Sequence, residues 1–358
     1  MEKHLILAIN SGSTSTKIAI YNNDEQIFEK TNRHSSEDMA KFDNVASQFE
    51  FRKELILQTI AGEGIDISKL NAVVGRGGIL KPMSSGVYEI NEAIIEDLLT
   101  AKNGEHASNL GALIAKDIIK NIDGARAFIA DPVVVYELED VARVTGHPLF
   151  KRTTVFHTLN QKAVAKAYAK SVSENYENLN LIVAHLGGGI SVGAHRNGRI
   201  IDVNNAIDGE GSFSPEKAGK LPALQVAELC FSGKYTYKQV KKMIVGEGGV
   251  VAHLGTNDMM TVRKKAREGD PKCKLIVDAM HYNIGKEIGA MAAVLHGKVD
   301  AIIITGGMAH STMTTDAIKE MVEFIAPVTV YPGEDELGAL ASNGLSVLRG
   351  EVEPKEYS

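Results

Sequence analysis

Two glycine-rich turns in this sequence carry the residue types that bind phosphate groups. The first turn follows an unbroken apolar run, residues 5–9, and precedes a second strand-like run that opens with Lys17. Small residues expose backbone N–H groups, hydroxyls donate hydrogen bonds, and a lysine neutralises negative charge. Because no helix fits between the two runs, we predict an antiparallel hairpin, and not a Walker loop, which leads into a helix. An ordinary polar hairpin turn is the alternative. The candidate phosphate-binding residues of this hairpin are Asn10, Gly12, Ser13, Thr14, Ser15 and Lys17.

The same order of strand, glycine turn and strand returns in the second half of the chain. Residues 181–186 are apolar apart from His185, three glycines follow, and residues 190–196 form the next strand-like run. A third apolar run, residues 301–305, ends in a glycine pair. Backbone N–H groups exposed at the end of a strand suit a phosphate group. The candidate phosphate-binding residues of the second turn are Gly187, Gly188 and Gly189, with His185 before them, while Gly306 and Gly307 form a separate glycine loop.

Three further side chains stand where predicted strands end or a helix begins. Arg76 lies in a glycine loop after a short strand, where its planar fork can hold a carboxylate or phosphoryl group bidentately. Asp131 stops another strand before a proline and suits hard Mg²⁺, held through water. His157 opens a helix-like run after a predicted short strand, residues 154–156. The alternatives are a solvated arginine, a turn cap and a helix cap.

The order of predicted elements occurs twice. Three meandering strands and then helix, strand, helix, strand and helix start near residue 5 and again near residue 181. This order predicts an α/β fold with one sheet in each half. Each half then presents a glycine turn to a cleft between the halves, where a phosphate chain is bound from two sides.

Composition excludes several classes of function. The chain has 358 residues, which favours two domains, and a net charge of −6 without a basic stripe, which argues against nucleic acid or an anionic membrane as partner. Cys230 and Cys273 are too few and too far apart for a disulfide framework or a zinc site. Neither a signal peptide nor an apolar run of membrane-spanning length is recognisable, so we expect a cytoplasmic protein.

Eight stretches, in order along the chain, carry a resemblance to a known family. They are AINSGSTSTKIAIY, GRGGILKP, FIADPVVV, GHPLFKRTTVFHTLNQKAVA, VAHLGGGISVGAHRNGRIIDVNNAIDGEGSFSPEKAG, VAHLGTND, ITGGMAHS and YPGEDELGALA. The chain resembles the acetate and butyrate kinases, and its length favours the butyrate kinases. This resemblance implies a duplicated actin-like (ribonuclease H-like) ATPase fold, with two lobes and a nucleotide cleft between them. The first lobe would comprise 1–152 plus the C-terminal helix 335–358 and hold the first hairpin and the acyl substrate. The second lobe, 153–334, would hold the second hairpin and an adenosine loop.

The resemblance also implies a reaction. Family members reversibly phosphorylate a short-chain carboxylate with ATP, giving an acyl phosphate and ADP, and they use Mg²⁺. Acetate, propionate or a branched acid is the alternative substrate, and an ATP-regulated actin-like module is the non-enzymatic alternative. A homodimer or a higher homo-oligomer is the expected assembly.

The family's site residues are carried over to matching positions. Arg76, Asp131 and His157 would be catalytic, and Asp131 would also hold the metal, while the glycine turns and Gly306–Gly307 would bind the nucleotide. Acetate kinases have a second catalytic arginine where this chain has Lys217, which keeps the charge but loses the bidentate fork. Asp335 and Glu336, after Glu334, align with a glutamate near the metal, although acids at a helix start also complement its dipole. For His195 and His253 we expect structural roles.

Overall fold

The chain divides into two compact units that differ from the predicted lobes at one boundary. The computed structural model describes residues 3–13, 15–207 and 209–358, without the side chain of Ser36. Unit 1 is Met1–Tyr136 with Asp335–Ser358, and unit 2 is Glu137–Glu334. The sequence placed the first boundary at 152/153, whereas the units divide at 136/137. The reason is that residues 137–152 bond to unit 2: Glu139 N donates to Ile201 O, and Arg152 donates to Asp202 Oδ1.

The strands and helices are numbered here in chain order. The strands are β1 (Leu5–Ser11), β2 (Ser15–Asn22), β3 (Glu25–Arg33), β4 (Ala72–Arg76), β5 (Val87–Glu89), β6 (Arg126–Ala130), β7 (Leu181–Leu186), β8 (Ile190–Arg196), β9 (Arg199–Val203), β10 (Ala301–Gly306) and β11 (Val328–Pro332). The α-helices are α1 (Ser36–Met39), α2 (Phe49–Gly62), α3 (Glu92–Leu99), α4 (Asn109–Ile119), α5 (Asp140–Arg143), α6 (Thr158–Ser171), α7 (Ala223–Phe231), α8 (Tyr237–Ile244), α9 (Gly249–Leu254), α10 (Met259–Arg267), α11 (Pro271–Val294), α12 (Thr312–Val322) and α13 (Glu336–Leu348). Single 3₁₀ turns are Ala46–Gln48, Ile67–Lys69, Tyr176–Asn178 and Gly307–His310.

Unit 1 is built on a mixed sheet in the order β3-β2-β1-β4-β6-β5. The first three strands form an antiparallel meander, and β1, β4 and β6 are parallel to one another. Successive strand residues face opposite sides of a sheet. Leu7, Ile9 and Val73 therefore share the core with α2, α3 and α4, while Ile6 and Val74 lie near Gly344 of α13 on the other face.

Unit 2 repeats this plan. Its sheet has the order β11-β10-β7-β8-β9, again an antiparallel meander joined to two parallel strands. Ile182 and Ile304 pack with α11 on one face, and Val183 and Ile303 pack with α6 on the other. The predicted duplication and α/β class are thereby confirmed, while the nucleotide cleft stays a prediction.

One local prediction was wrong, and one strand was not predicted. Residues 154–156 are not a strand: Val155 O accepts one backbone hydrogen bond, from Ala206 N, and no ladder follows. The strand β5, antiparallel to β6, was missed because three residues are too few to show a periodicity.

Arg76 is placed by a contact between two glycines. An ideal Cβ on Gly111 of α4 would lie 2.8 Å from Arg76 O, and one on Gly75 would collide with the Gly111 backbone. The helix therefore lies directly on the end of β4, because neither glycine carries a side chain. The close packing of α4 on β4 thus fixes the position of the Arg76 backbone at the end of the sheet.

We predict that Gly111→Ala lowers the free energy of unfolding by about 1–3 kcal/mol, because the added methyl forces α4 away from β4. Chemical denaturation measures the change. Gly289→Ala is the matched control, since a Cβ on this α11 residue meets nothing within 4 Å. That control should leave stability unchanged or raise it by up to about 1 kcal/mol. Equal stability of Gly111→Ala and the parent would show that α4 can move without cost.

Three buried histidines favour the neutral form. Burial lowers the pKa of His34 and of His281 to about 4 in each case. Burial also lowers the pKa of His195 well below its ordinary value, and the charge of Lys162 adds to this. The His195 ring is satisfied as a neutral group: Nε2–H donates to Gln161 Oε1 at 3.0 Å, and Nδ1 accepts from Tyr176 Oη at 2.8 Å.

These histidines predict a loss of stability in weak acid. In the unfolded chain a histidine takes up a proton below about pH 6.5, whereas these folded rings do not, so acid favours unfolding. The free energy of unfolding should fall from pH 7 to pH 5. Where the pH lies below the pKa of histidine in the unfolded chain, each ring contributes up to about 1.4 kcal/mol per pH unit. His195→Gln should reduce this fall, and urea titrations at each pH measure it. His296→Asn, which removes an exposed histidine, is the matched surface control. A stability independent of pH over this range would contradict the assignment.

Candidate active site

The predicted first phosphate hairpin joins β1 to β2 in unit 1. Asn10 is paired with Lys17 in the antiparallel register, so the two side chains lie on the same face of the sheet. Gly12 N donates to Ser15 O at 2.8 Å and closes the turn. Thr14 lies outside the described residues. The Lys17 side chain is exposed, as a residue that meets an anion must be.

Arg76, Asn10 and Glu336 form one cluster beside this hairpin. Arg76 Nη1 donates to Asn10 Oδ1 at 3.2 Å and to Glu336 Oε2 at 3.3 Å, and Asn10 Nδ2 donates to the same carboxylate oxygen. These residues come from the ends of β1 and β4 and from the first turn of α13. The structure thus brings together three residues that the sequence predicted separately.

Asp131 follows β6 in a conformation that costs backbone energy. Its φ is +39°, which is uncommon for a residue with a Cβ, although Asp adopts it more readily than most. Asp131 is 3% exposed, and its Oδ1 accepts from Ser85 Oγ at 2.5 Å and from Gly86 N at 2.9 Å. Both hydrogen bonds use one carboxylate oxygen. Since Ala130 is opposite Arg76 in the sheet, Asp131 leaves the same edge as Arg76.

The three acids before and within α13 have different partners. Asp335 caps the helix, because Oδ1 accepts from Gly338 N at 2.8 Å. Glu336 belongs to the cluster around Arg76. Glu334 ends unit 2, where its Oε1 lies 3.1 Å from His185 Nε2. The sequence could not separate these three roles, because the acids are consecutive.

Two histidine rings are stacked at the second glycine turn. The centroids of His157 and His185 are 3.7 Å apart, with 9° between the ring planes. His185 is 1% exposed, and its Nδ1–H donates to Asn160 Oδ1 at 2.9 Å. His157 precedes α6, but its side chain makes no capping hydrogen bond to that helix. Its Nδ1 lies 2.9 Å from Ser191 Oγ instead, so the ring is held over the turn.

Lys217 also reaches this turn. An ideal Cβ on Gly189 would lie 3.2 Å from Lys217 Nζ and 3.5 Å from His157 Cε1. The loop that carries Lys217 is tied to the turn, because Ser214 Oγ donates to Gly188 O at 2.6 Å and Lys217 N donates to Ser214 Oγ at 3.1 Å. Burial lowers the pKa of Lys217, and the Glu216 carboxylate opposes this shift.

The glycine pair after β10 is held to β11. Gly306 N donates to Gly333 O at 3.1 Å, and Gly333 N donates to Gly306 O at 3.0 Å. A side chain at Gly306 would collide with the backbone of Leu186, and its φ of +91° also requires glycine. Exposed Gly307 then opens a 3₁₀ turn. The loop therefore presents its backbone beside the end of β7.

The sequence did not reveal the buried residues that contact the candidate site residues and orient them. Gln161 Nε2 donates to Ser191 Oγ at 2.8 Å, while its Oε1 accepts from His195, so buried hydrogen bonds connect His195 with His157. The structural role expected for His195 is consistent with this network. The pKa of His106 is lowered, first by burial and second by the charge of Arg76, which places it near that guanidinium. A polar residue at a buried helix position is the available signal for Gln161, but it does not reveal the partner.

The described part of the chain lacks two kinds of feature. In residues 3–13, 15–207 and 209–358, no helix has the length and apolarity needed to cross a membrane. Within the same ranges, no three or more His, Cys, Asp or Glu side chains are grouped as a ready-made metal site.

Comparison with known proteins identifies the family. The model of the acetokinase family matches residues 134–327. Two curated proteins of Clostridium acetobutylicum are each 54% identical: butyrate kinase 2 over 355 residues, 99% of both chains, and butyrate kinase 1 over 352 residues, 98% of this chain and 99% of the other.

Solved structures agree on the fold. Acetate kinase from Porphyromonas gingivalis superposes with a TM-score of 0.79 at 18% identity, over 96% of this chain and all of the other. A propionate kinase from Francisella tularensis gives a TM-score of 0.73 at 18% identity, over 95% and 98% of the two chains. At this identity the likeness concerns the fold alone. With the family match and the full-length identities, it follows that the chain belongs to the acetokinase family.

Proposed function

We propose that this chain is a butyrate kinase, which reversibly transfers the γ-phosphoryl group of ATP to the carboxylate of butyrate. The observation that carries the proposal is the 54% identity over nearly the whole length to two curated butyrate kinases. The cations and N–H donors of the candidate site support this reaction.

The acceptor requires cations and N–H donors and no general base. A carboxylate is already ionised near neutral pH, so the obstacle is repulsion between two anions and the charge that builds on the transferred group. Arg76 uses Nη1 for its bonds to Asn10 and Glu336. We infer that its other nitrogens hold the butyrate carboxylate or a phosphoryl oxygen.

The glycine turns suit the nucleotide. Lys17 and the N–H groups of the first turn other than that of Gly12 would bind phosphate oxygens, as would the N–H groups of Gly188 and Gly189. Gly187 N donates to Gly189 O at 3.0 Å, so this glycine shapes the second turn. The Gly306–Gly307 loop is proposed for adenosine. His157 and Lys217, close to Gly189, would stabilise the charge of the transferring phosphoryl group. The 2.9 Å contact between His157 Nδ1 and Ser191 Oγ fixes the orientation of this imidazole.

The acids of unit 1 fit Mg²⁺ bound mainly through water. Mg²⁺ prefers hard oxygen donors and is held by one or two carboxylates together with water and substrate phosphates. The Asp131 carboxylate uses a single oxygen for its hydrogen bonds. Glu336 belongs to the cluster with Arg76 and Asn10. We infer that these two residues hold the ion, which would neutralise phosphate charge. Asp335 is committed to capping α13 and fits this role less well.

Other expectations stay predictions. They are a cytoplasmic location, assembly as a homodimer or a higher homo-oligomer, and a catalytic role for Lys217. Acetate, propionate and branched acids remain the alternative substrates, and the experiment on chain length below distinguishes them.

Arg76→Ala should lower kcat/KM for acyl phosphate formation by a factor on the order of 10²–10³, because one preorganised cation is lost. Hydroxamate trapping of acyl phosphate measures the rate, and KM for ATP should change far less. Arg126→Ala is the matched control: it removes a surface arginine that pairs with Glu89 on β5. Turnover of Arg76→Ala within threefold of the parent would place Arg76 outside the reaction.

Butyrate should be preferred over acetate by roughly fifteenfold in kcat/KM, since two more methylenes are buried at ~0.8 kcal/mol each. Charge chemistry at the carboxylate is the same for both acids, so the preference must come from the apolar floor of the pocket. Steady-state kinetics with acetate, propionate, butyrate and isobutyrate test this. Acetate equal to or better than butyrate would remove the butyrate assignment and leave a carboxylate kinase.

A further inference from the structure

Arg52 lies beneath the turn of the first phosphate hairpin with no exposed surface. It projects from the first turn of α2 and is the largest fully buried side chain described. Its Nη1 donates to Gly12 O at 2.8 Å, to Ser15 O at 3.3 Å and to Thr16 Oγ1 at 3.0 Å. Nη2 reaches Ser13 O at 3.5 Å, and both Nε and Nη2 donate to Gln48 Oε1, at 3.1 and 2.8 Å. The guanidinium therefore donates hydrogen bonds to several carbonyl groups of one turn.

This buried charge has no carboxylate partner in the described part of the chain. The hydrogen bonds of Arg52 there go to carbonyl, amide, hydroxyl and thioether groups and to no Asp or Glu. Buried charges in proteins are normally paired, because an unpaired one loses its hydration without compensation. Burial lowers the pKa of Arg52 to about 10, so the side chain remains protonated near neutral pH. Its neighbour His34 adds no second positive charge, since a pKa of about 4 leaves that ring neutral near neutral pH.

The hydrogen bonds of Arg52 also orient the turn. In a planar trans peptide, the carbonyl and the following N–H point in opposite directions. Because Gly12 O points at Arg52, the N–H of Ser13 points away from it. Asn10 and Lys17 lie on the opposite face of the hairpin from Thr16, which Arg52 contacts. The guanidinium thus binds the carbonyl side of the turn and leaves donor groups on the other side.

We propose that Arg52 is a positioning residue for the first hairpin. The phosphate chain of the bound nucleotide then supplies the negative charge that no carboxylate of the described chain provides. The proposal rests on the function proposed above, because it assigns a role within that nucleotide site. Arg52 does not touch the reacting atoms. It preorganises the donors of the turn and adds a positive potential through one layer of backbone, in a region of low dielectric constant.

Two substitutions separate the two parts of the role. Arg52→Met keeps an apolar stem without charge, and Arg52→Lys keeps the charge without the fork. Lys53→Met, one residue further along α2, is the control for loss of a charge, because Lys53 pairs with Glu50 and Asp117. Calorimetry at fixed ionic strength on the full-length chain would measure binding of ATP, ADP and adenosine, with circular dichroism to establish that each variant is folded.

The loss of affinity in Arg52→Met should increase with the charge of the ligand. We expect ATP binding to weaken by about 10- to 100-fold, ADP binding to weaken less, and adenosine binding to change by less than about threefold. Arg52→Lys should fall between the parent and Arg52→Met. In kinetics, KM for ATP should rise while KM for butyrate stays within threefold. If Arg52→Met does not fold, Arg52→Lys and Arg52→Gln provide the same comparison.

The outcomes distinguish this proposal from the proposed function. An equal loss for ATP, ADP and adenosine would indicate a merely structural residue and overturn the proposal. A folded Arg52→Met that binds ATP within threefold of the parent would also overturn it, even if the parent forms butyryl phosphate. Conversely, a parent that forms no acyl phosphate but loses ATP binding on Arg52→Met would refute only the kinase assignment and support the role of Arg52.

Discussion

In each unit, the candidate residues depend on one strand that pairs antiparallel on one side and parallel on the other. In unit 1 this strand is β1, and the pairing of Ile9 with Gly75 brings Asn10 and Arg76 to the same edge. In unit 2 it is β7, and His185 is opposite Thr305, so the glycine turn and the Gly306 loop share an edge. Backbone pairing alone therefore gathers groups that are far apart in the sequence.

Much of this arrangement could be predicted from the sequence, for physical reasons that differ by residue. The glycine turns, the duplicated order of elements and Arg76 are local features, visible as apolar runs that end in small residues. Arg52 was not predictable, because it lies within α2 among other charged residues and its partners are about forty positions away. The boundary at 136/137 was also missed, since it is set by contacts of residues 137–152 with β9. A local sequence pattern predicts burial and turns, but it does not predict which distant group a polar side chain contacts.

Two arginines beside the first hairpin stand in different electrostatic environments. Arg76 is partly exposed and is balanced by Glu336, whereas Arg52 is buried without a described carboxylate partner. The chain as a whole carries a net charge of −6. Net charge thus describes solubility and long-range steering, while the potential at a site is determined by the few charges nearest to it.

Unit 1 takes its residues from both sides of unit 2 along the chain. Glu336 opens α13, which packs on one face of the sheet at β1, and Tyr357 is buried in the core on the opposite face, where its hydroxyl donates to Asp97 at 2.7 Å. A ribosome makes the chain from the amino terminus, so all of Glu137–Glu334 is synthesised before α13 exists. The first unit to begin is therefore the last to be completed. The closing contact between Asn10 and Glu336 joins residues 326 positions apart, and long-range contacts of this kind form slowly, so the face of β1 and β4 that receives α13 is the last to be covered.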